Sequence, residues 1–384
     1  MSFRRSASFF CILAVAWLIS CIDPVDIVED IDSGDLVVDA LITDQPGPYF
    51  VTLARTRSIK TDLDIVAYVR GALVLLDDDA GNLDTLREVE PGRYQSSQRI
   101  RGQVGRKYRL QIRTKESFIY QTDFQEMLPV GTVDSAYFKL TKKYFLNEDG
   151  FEELKYDFDL AADGTLPVNG SNFVMWRWKG TYEVFTYPKL RTRISARDPD
   201  FGDSDIVLPD PPRCSGFIFI KELYIKSGVR YYSLGEECTC CKCWVNEFSS
   251  RPVLTSNRFK QNKFFDVALG SISAQNVEPF RYKYHVGVEM LSVNEEVYQY
   301  FETVSTQGSN NLFVPPIGQL RSNVRPVDGS PEVYGMFRVS AVSSRSFFIP
   351  SSKLPFGLNQ PVDSVRNDCR AIRNSTTEKP DYWD

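Results

Sequence analysis

The chain has 384 residues, with 45 Lys and Arg against 50 Asp and Glu, one His and a formal net charge of −5. A pI near 5.3 leaves no overall surplus of cations to neutralise phosphates, which argues against nucleic acid as a partner. The length is enough for two domains with sizeable cores, and a single histidine leaves Ser–His or Cys–His catalysis with one possible base.

The chain opens MSFRRSASFFCILAVAWLISC. Arg4 and Arg5 are followed by an uncharged apolar run from Phe9 to Leu18. That run is too short for a membrane span of ~20 residues and fits the apolar region of a secretory leader. Leu18-Ile19-Ser20-Cys21 resembles a bacterial lipobox, in which the Cys thiol takes diacylglycerol and the peptide before it is removed. The expectation is a signal peptide over residues 1–20 and a lipid anchor on Cys21 that holds the protein outside the cytoplasm. Residues 21–35 carry Asp23, Asp26, Glu29, Asp30, Asp32 and Asp35 and few large side chains, the composition of a tether. Fully extended it reaches ~50 Å, and its charge repels it from anionic lipid.

Residues 36–128 alternate with period two. Leu36–Ile42, Phe50–Leu53, Val69–Leu76, Gly92–Gln95 and Tyr108–Arg113 read as strands, with Asp77-Asp78-Asp79 at a hairpin tip. In the last of these, Tyr108, Leu110 and Ile112 share one face. Short strands at turn-marked spacing predict a β-sandwich of Ig or prealbumin type.

Residues 129–384 predict a larger β-rich domain. Leu154–Leu160 and Tyr282–Met290 alternate cleanly, and Trp176 and Trp178 share a strand face opposite Arg177 and Lys179. Ser292 with Glu295 has the letters of a capping box and predicts one helix over 293–306, with Val293, Val297, Phe301 and Val304 on its buried stripe. The Pro- and Asp-rich stretch 191–213 reads as a long surface loop.

Several C-terminal stretches together carry a resemblance: Tyr298-Gln299-Tyr300-Phe301, Leu312-Phe313-Val314-Pro315-Pro316, Asn323-Val324, Val333-Tyr334-Gly335-Met336-Phe337, Asp368-Cys369-Arg370 and Thr376 to Trp383. With the lipobox, their order resembles the uncharacterised Bacteroidota outer-membrane lipoproteins catalogued as domain of unknown function 4249. The resemblance implies an outer-membrane lipoprotein facing the cell surface, of a kind often associated with TonB-dependent transporters, with no assigned enzyme activity and no established site residues.

Glu236-Glu237-Cys238-Thr239-Cys240-Cys241-Lys242-Cys243-Trp244 packs four cysteines into six residues, and Cys214 and Cys369 bring the set to six. In an oxidising compartment six thiols form three disulfides, in one of fifteen connectivities. A bond between the neighbours Cys240 and Cys241 needs a distorted peptide; Cys214 and Cys369 are expected to reach into the cluster, with one pair closing inside it. Two other readings stay open: C-x-C-C-x-C as a zinc or copper(I) thiolate site, and Cys238/Cys241 as a redox C-x-x-C.

Weaker constellations complete the survey. Gly202-Asp203-Ser204 has the letters of a lipase nucleophile block but lacks an Asp-x-x-His partner, since Tyr282 stands three residues before His285. Asp198, Asp200, Asp203 and Asp205 are calcium candidates without the EF-hand spacing. His285 falls on the polar face of its strand and is expected to be exposed, and Trp244 and Trp383 are expected in core or interface rather than on sugar. The functional expectation is a non-enzymatic accessory or binding lipoprotein without cofactor. The alternatives are a surface hydrolase using carboxylates or a loop metal, and a purely structural envelope protein.

Overall fold

The computed structural model describes residues 34–56, 66–97, 99–147, 149–186, 192–198, 202–207, 214, 216–223, 229–257, 262–275, 278–307, 321–355 and 368–383. Eight strands come first: β1 (Leu36–Thr43), β2 (Phe50–Arg55), β3 (Leu73–Asp78), β4 (Leu83–Glu90), β5 (Arg93–Gln95), β6 (Lys107–Arg113), β7 (Ile119–Thr122) and β8 (Gln125–Glu126). Next are β9 (Thr132–Leu146), β10 (Glu152–Thr165), β11 (Phe173–Phe185), β12 (Thr192–Asp198), β13 (Gly202–Val207), β14 (Phe217–Leu223) and β15 (Val229–Leu234). Then follow β16 (Lys242–Phe248), β17 (Val253–Ser256), β18 (Lys263–Ser273), β19 (Lys283–Val293) and the helix α1 (Glu295–Gln307). The last strands are β20 (Val324–Val327), β21 (Val333–Ser340), β22 (Val342–Pro350) and β23 (Ser375–Thr376). Among the described residues no helix is long and apolar enough to cross a membrane.

The first sheet runs β20-β7-β6-β3-β4-β5-β2-β1-β21, with β8 on β6. Its inward residues alternate as the sequence requires: Leu36, Val38, Ala40 and Ile42 on β1, and Tyr108, Leu110 and Ile112 on β6. They meet in one core with Leu53, Tyr94, Tyr120 and Phe337. The expected two-layer Ig or prealbumin sandwich is therefore corrected to a near-closed barrel. Two strands from far along the chain make the difference: β21 pairs in parallel with β1, and β20 pairs with β7. Both strands cross the sequence boundary at residue 129 and cover edges that would otherwise expose unpaired amides.

The two ends of this path are joined by a side chain. Asn323, just before β20, donates its Nδ2–H to the carbonyl of Phe337 on β21 at 2.7 Å. Its Oδ1 accepts the Phe337 N–H at 2.9 Å. The amide thus takes the place of a rung of backbone ladder.

The rest of the chain builds on a six-stranded sheet, β22-β19-β11-β16-β23 with β17 on β11. A three-stranded sheet, β18-β10-β9, lies across one face, and a core containing Trp176, Phe158, Leu160, Phe280, Tyr284, Val286, Val288 and Met290 fills the space between. Gly180 is required here, because a Cβ would stand 1.9 Å from the Tyr284 hydroxyl that passes over it. A fourth sheet, β12-β13-β15-β14, includes residues expected in a loop. The stretch 191–213 is corrected accordingly: 192–198 and 202–207 are paired strands, with Arg197 opposite Asp203.

The helix starts two residues later than the capping letters suggest. Asn294 caps it, its Oδ1 accepting from Val297 N–H at 2.9 Å. Ser292 is still in the ladder, opposite Val174, and its hydroxyl donates to the Leu128 carbonyl while accepting from the Ala341 amide. Val297 and Tyr298 pack against Met175, Leu291 and Met336, fixing α1 between the barrel and the six-stranded sheet.

Candidate functional site

The back face of the six-stranded sheet shows what this arrangement leaves open. On β11 and β19 the pairs Met175–Leu291, Arg177–Glu289, Lys179–Gly287 and Thr181–His285 follow one another along that face. Helix α1 covers the first pair. The C-terminal residues cover the last, with Tyr382 stacked on His285 at 4.0 Å and bonded to Thr181 at 2.9 Å. Between them, where the barrel meets the sheet, a groove of about 330 Å³ remains.

Four parts of the chain build it. Strand β1 gives Val37, Val38 and Asp39; β21 gives Gly335, Met336 and Arg338; α1 gives Tyr300, Phe301 and Val304; β11 gives Met175 and Arg177, with Ser249 and Pro252 at the rim. Gly335 matters to the floor. Its φ of +95° is one that L side chains rarely adopt, and a Cβ there would lie 1.9 Å from the Val38 carbonyl. Arg338 is salt-bridged to Asp39, with its guanidinium 5.4 Å from the Phe301 ring. Arg177 is bonded through Nε to Glu289, its directly opposite neighbour, at 2.5 Å. Burial raises the Tyr300 phenol above its ordinary pKa, partly offset by the backbone of Gly335. The groove therefore has apolar and aromatic walls, two guanidiniums and one carboxylate.

None of these residues was marked as a site in the sequence. The one local signal is the alternation Trp176-Arg177-Trp178, which sends an arginine to the face away from the core.

The cysteines lie beyond the other end of β11. Cys214 is bonded to Cys240, Cys238 to Cys241, and Cys243 to Cys369. Two long-range bonds thus enter the cluster and one closes within it. The sulfurs of Cys214 and Cys240 and a carboxylate oxygen of Asp368 lie within 4.8 Å of one another. With the sulfurs bonded in pairs, the thiolate donor set of a metal site is not formed. Arg370 donates to Asp368 at 2.6 Å and holds that carboxyl below its ordinary pKa.

Of the calcium candidates, Asp198 ends β12 opposite Gly202, and Asp203 and Asp205 lie on β13; Asp200 is outside the described residues, as is Cys21. Trp244 and Trp383 are both buried.

His285 is a correction: it is 6% exposed, not on the surface. The alternation placed it on the face away from the core, but Tyr382 and the C-terminal segment close over that face, and neither ring nitrogen has a hydrogen-bond partner among the described residues. Burial, then Lys179 and Lys283, lower its pKa to about 4. An unfolded chain takes up this proton near pH 6.5, so between 6.5 and 4 the unfolded state binds more protons than the folded one. Stability is therefore lost as pH falls through that window, by about 2–3 kcal/mol from this group. Denaturant titrations at pH 7 and pH 4 should show a smaller difference in His285→Phe than in the native chain. An equal difference would mean that the imidazole is not held neutral.

These features define a class: a mainly β protein with, among the described residues, a near-closed barrel, a second β-sheet core, one α-helix and three disulfides. The family model described as Domain of unknown function (DUF4249) matches residues 22–346, and the chain belongs to that family. No curated protein and no solved structure matches it.

Proposed function

We propose that the chain is a lipid-anchored lipoprotein of the outer membrane, facing the cell surface, that serves as a non-enzymatic binding or accessory partner of a TonB-dependent transporter in nutrient uptake. One observation carries the reading. Of eight cysteines, the six beyond the leader region are bonded to one another, as expected of a chain that folds outside the reducing cytoplasm. The other two are Cys11, within the apolar leader, and Cys21, at the lipobox. Acylation of Cys21 supplies the anchor.

A second feature supports a partner. Past Leu154, the β9–β10 hairpin continues as a two-stranded arm, and its tip presents Tyr144, Leu146 and Phe151 at 66, 72 and 69% exposure. The tip is ordered by Asn147, whose Oδ1 accepts from the amides of Asp149 and Phe151. Exposed apolar side chains on a fixed turn suit contact with another protein.

Fatty-acid labelling of cells, followed by intact-mass analysis, should mark the native chain at Cys21 and leave Cys21→Ser unlabelled and released from the membrane. Cross-linking in membranes should recover a TonB-dependent transporter. Leu146→Glu combined with Phe151→Glu should cut that yield by about fivefold or more without moving the melting temperature, because both side chains are exposed. An unlabelled native chain, or a cross-linked set without a transporter, overturns the reading.

A further inference from the structure

We propose that the groove between the barrel, α1 and β11 is a binding site for a small organic anion: a molecule with an apolar body and one carboxylate. This deepens the binding role proposed above, but its test reads neither the anchor nor the transporter, so the two can fail separately.

Size is the first argument. About 330 Å³ is at the lower end of the pockets that hold small ligands, and the walls have the usual makeup, apolar and aromatic with a few polar groups. Tyr300 and Phe301 offer ring surface, and Val37, Met175 and Met336 line the groove with flexible or branched apolar groups.

Charge selects the headgroup. Arg338 gives Nη2 to Asp39, and Arg177 gives Nε to Glu289. Among the described residues, Nη1 of Arg338 and both Nη groups of Arg177 have no protein acceptor. Asp39 lines the groove but is already engaged, and Glu289 is not among its lining residues. Each guanidinium is balanced by its carboxylate, so what the groove offers an anion is the remaining N–H donors of two pre-oriented guanidiniums rather than a net positive charge. A carboxylate matches the planar N–H pairs of a guanidinium, whereas an alcohol gains less and an ammonium is repelled. Both arginines are held in place by their carboxylate partners, which reduces the ordering that a ligand would have to impose.

The test uses the full chain as purified from cells, in lipid nanodiscs where it is lipid-anchored and in buffer where it is not, and isothermal titration with 4-phenylbutyrate, 4-phenylbutan-1-ol and 4-phenylbutylamine. The acid should bind, the alcohol about tenfold more weakly, and the amine without measurable heat. Val304→Trp, placed on the exposed flank of α1, should abolish acid binding at an unchanged melting temperature, and its nanodiscs measure partition into lipid. Arg177→Gln should weaken the acid by about fivefold or more while retaining the alcohol's affinity. Equal affinities for the three probes, acid binding that survives Val304→Trp, or no acid binding up to about 5 mM overturns the proposal.

Discussion

Replacing Cys369 with serine should cost about 5 kcal/mol, the largest single-residue loss expected in the molecule. The bond to Cys243 closes a loop with a sequence separation of 126, far longer than the separations of 26 and 3 closed by the other two. Chain-entropy loss in the unfolded state grows with loop length, giving about 3–4 kcal/mol for Cys214–Cys240 and about 2 for Cys238–Cys241. Cys243 and Cys369 are also both fully buried, in a small cluster with Val184 and Val245. A serine there adds an unpartnered hydroxyl and a free thiol. The same bond fixes the segment that places Tyr382 over His285, so its loss should carry the imidazole pKa back toward 6.5. Guanidinium unfolding of the native chain, Cys369→Ser and Cys238→Ser gives the ranking. Graded reduction under native conditions gives an independent one. The half-buried Cys238 and Cys241 should be alkylated first, and Cys243 and Cys369 only on unfolding. Equal losses in the two variants, or all three bonds opening together in the folded chain, would contradict this account.

What the sequence disclosed, and what it hid, follows from the range of each interaction. Strand alternation is local, and β6 and β19 could be read residue by residue. Barrel closure is not local. Val38 and Gly335 are ladder partners almost three hundred residues apart, and a parallel pairing leaves no mark on either segment. The capping-box letters at Ser292 and Glu295 were a local match to the wrong structure, because the Ser292 backbone was already committed to β19. Pro and Asp content hid the hairpin of β12 and β13, which is extended on one side by β15 from further along the chain. The groove was illegible for the strongest reason: its walls come from β1, β11, α1 and β21, and no one of them carries the pattern. Family resemblance reached the class of protein but supplied no site, so the geometry had to.

Asn323 is a letter whose presence was plain and whose role was not. At 2% exposure, its amide bridges both backbone groups of one β21 residue, Phe337. Asn323→Leu preserves the volume approximately and removes both bonds, leaving a buried N–H and a buried C=O without partners. Each costs about 1–3 kcal/mol, so a loss of about 3–4 kcal/mol is expected. The nearby Ser322, which donates to the Gly335 carbonyl at 2.7 Å, limits the damage to the closing seam rather than releasing β20 altogether. Asn323→Asp separates the two bonds. Its carboxylate can still accept the Phe337 N–H, but it sets a buried charge against the Phe337 carbonyl, so at pH 7 the loss should exceed that of the leucine variant. Below the pKa of that carboxyl, a protonated Asp can donate again, and the loss should shrink as pH falls, the reverse of the His285 contribution. Amide exchange at Phe337 should quicken in the leucine variant while exchange in β6 is unchanged. A leucine variant within about 1 kcal/mol of the native chain would mean that β20 and β21 are held together without this amide.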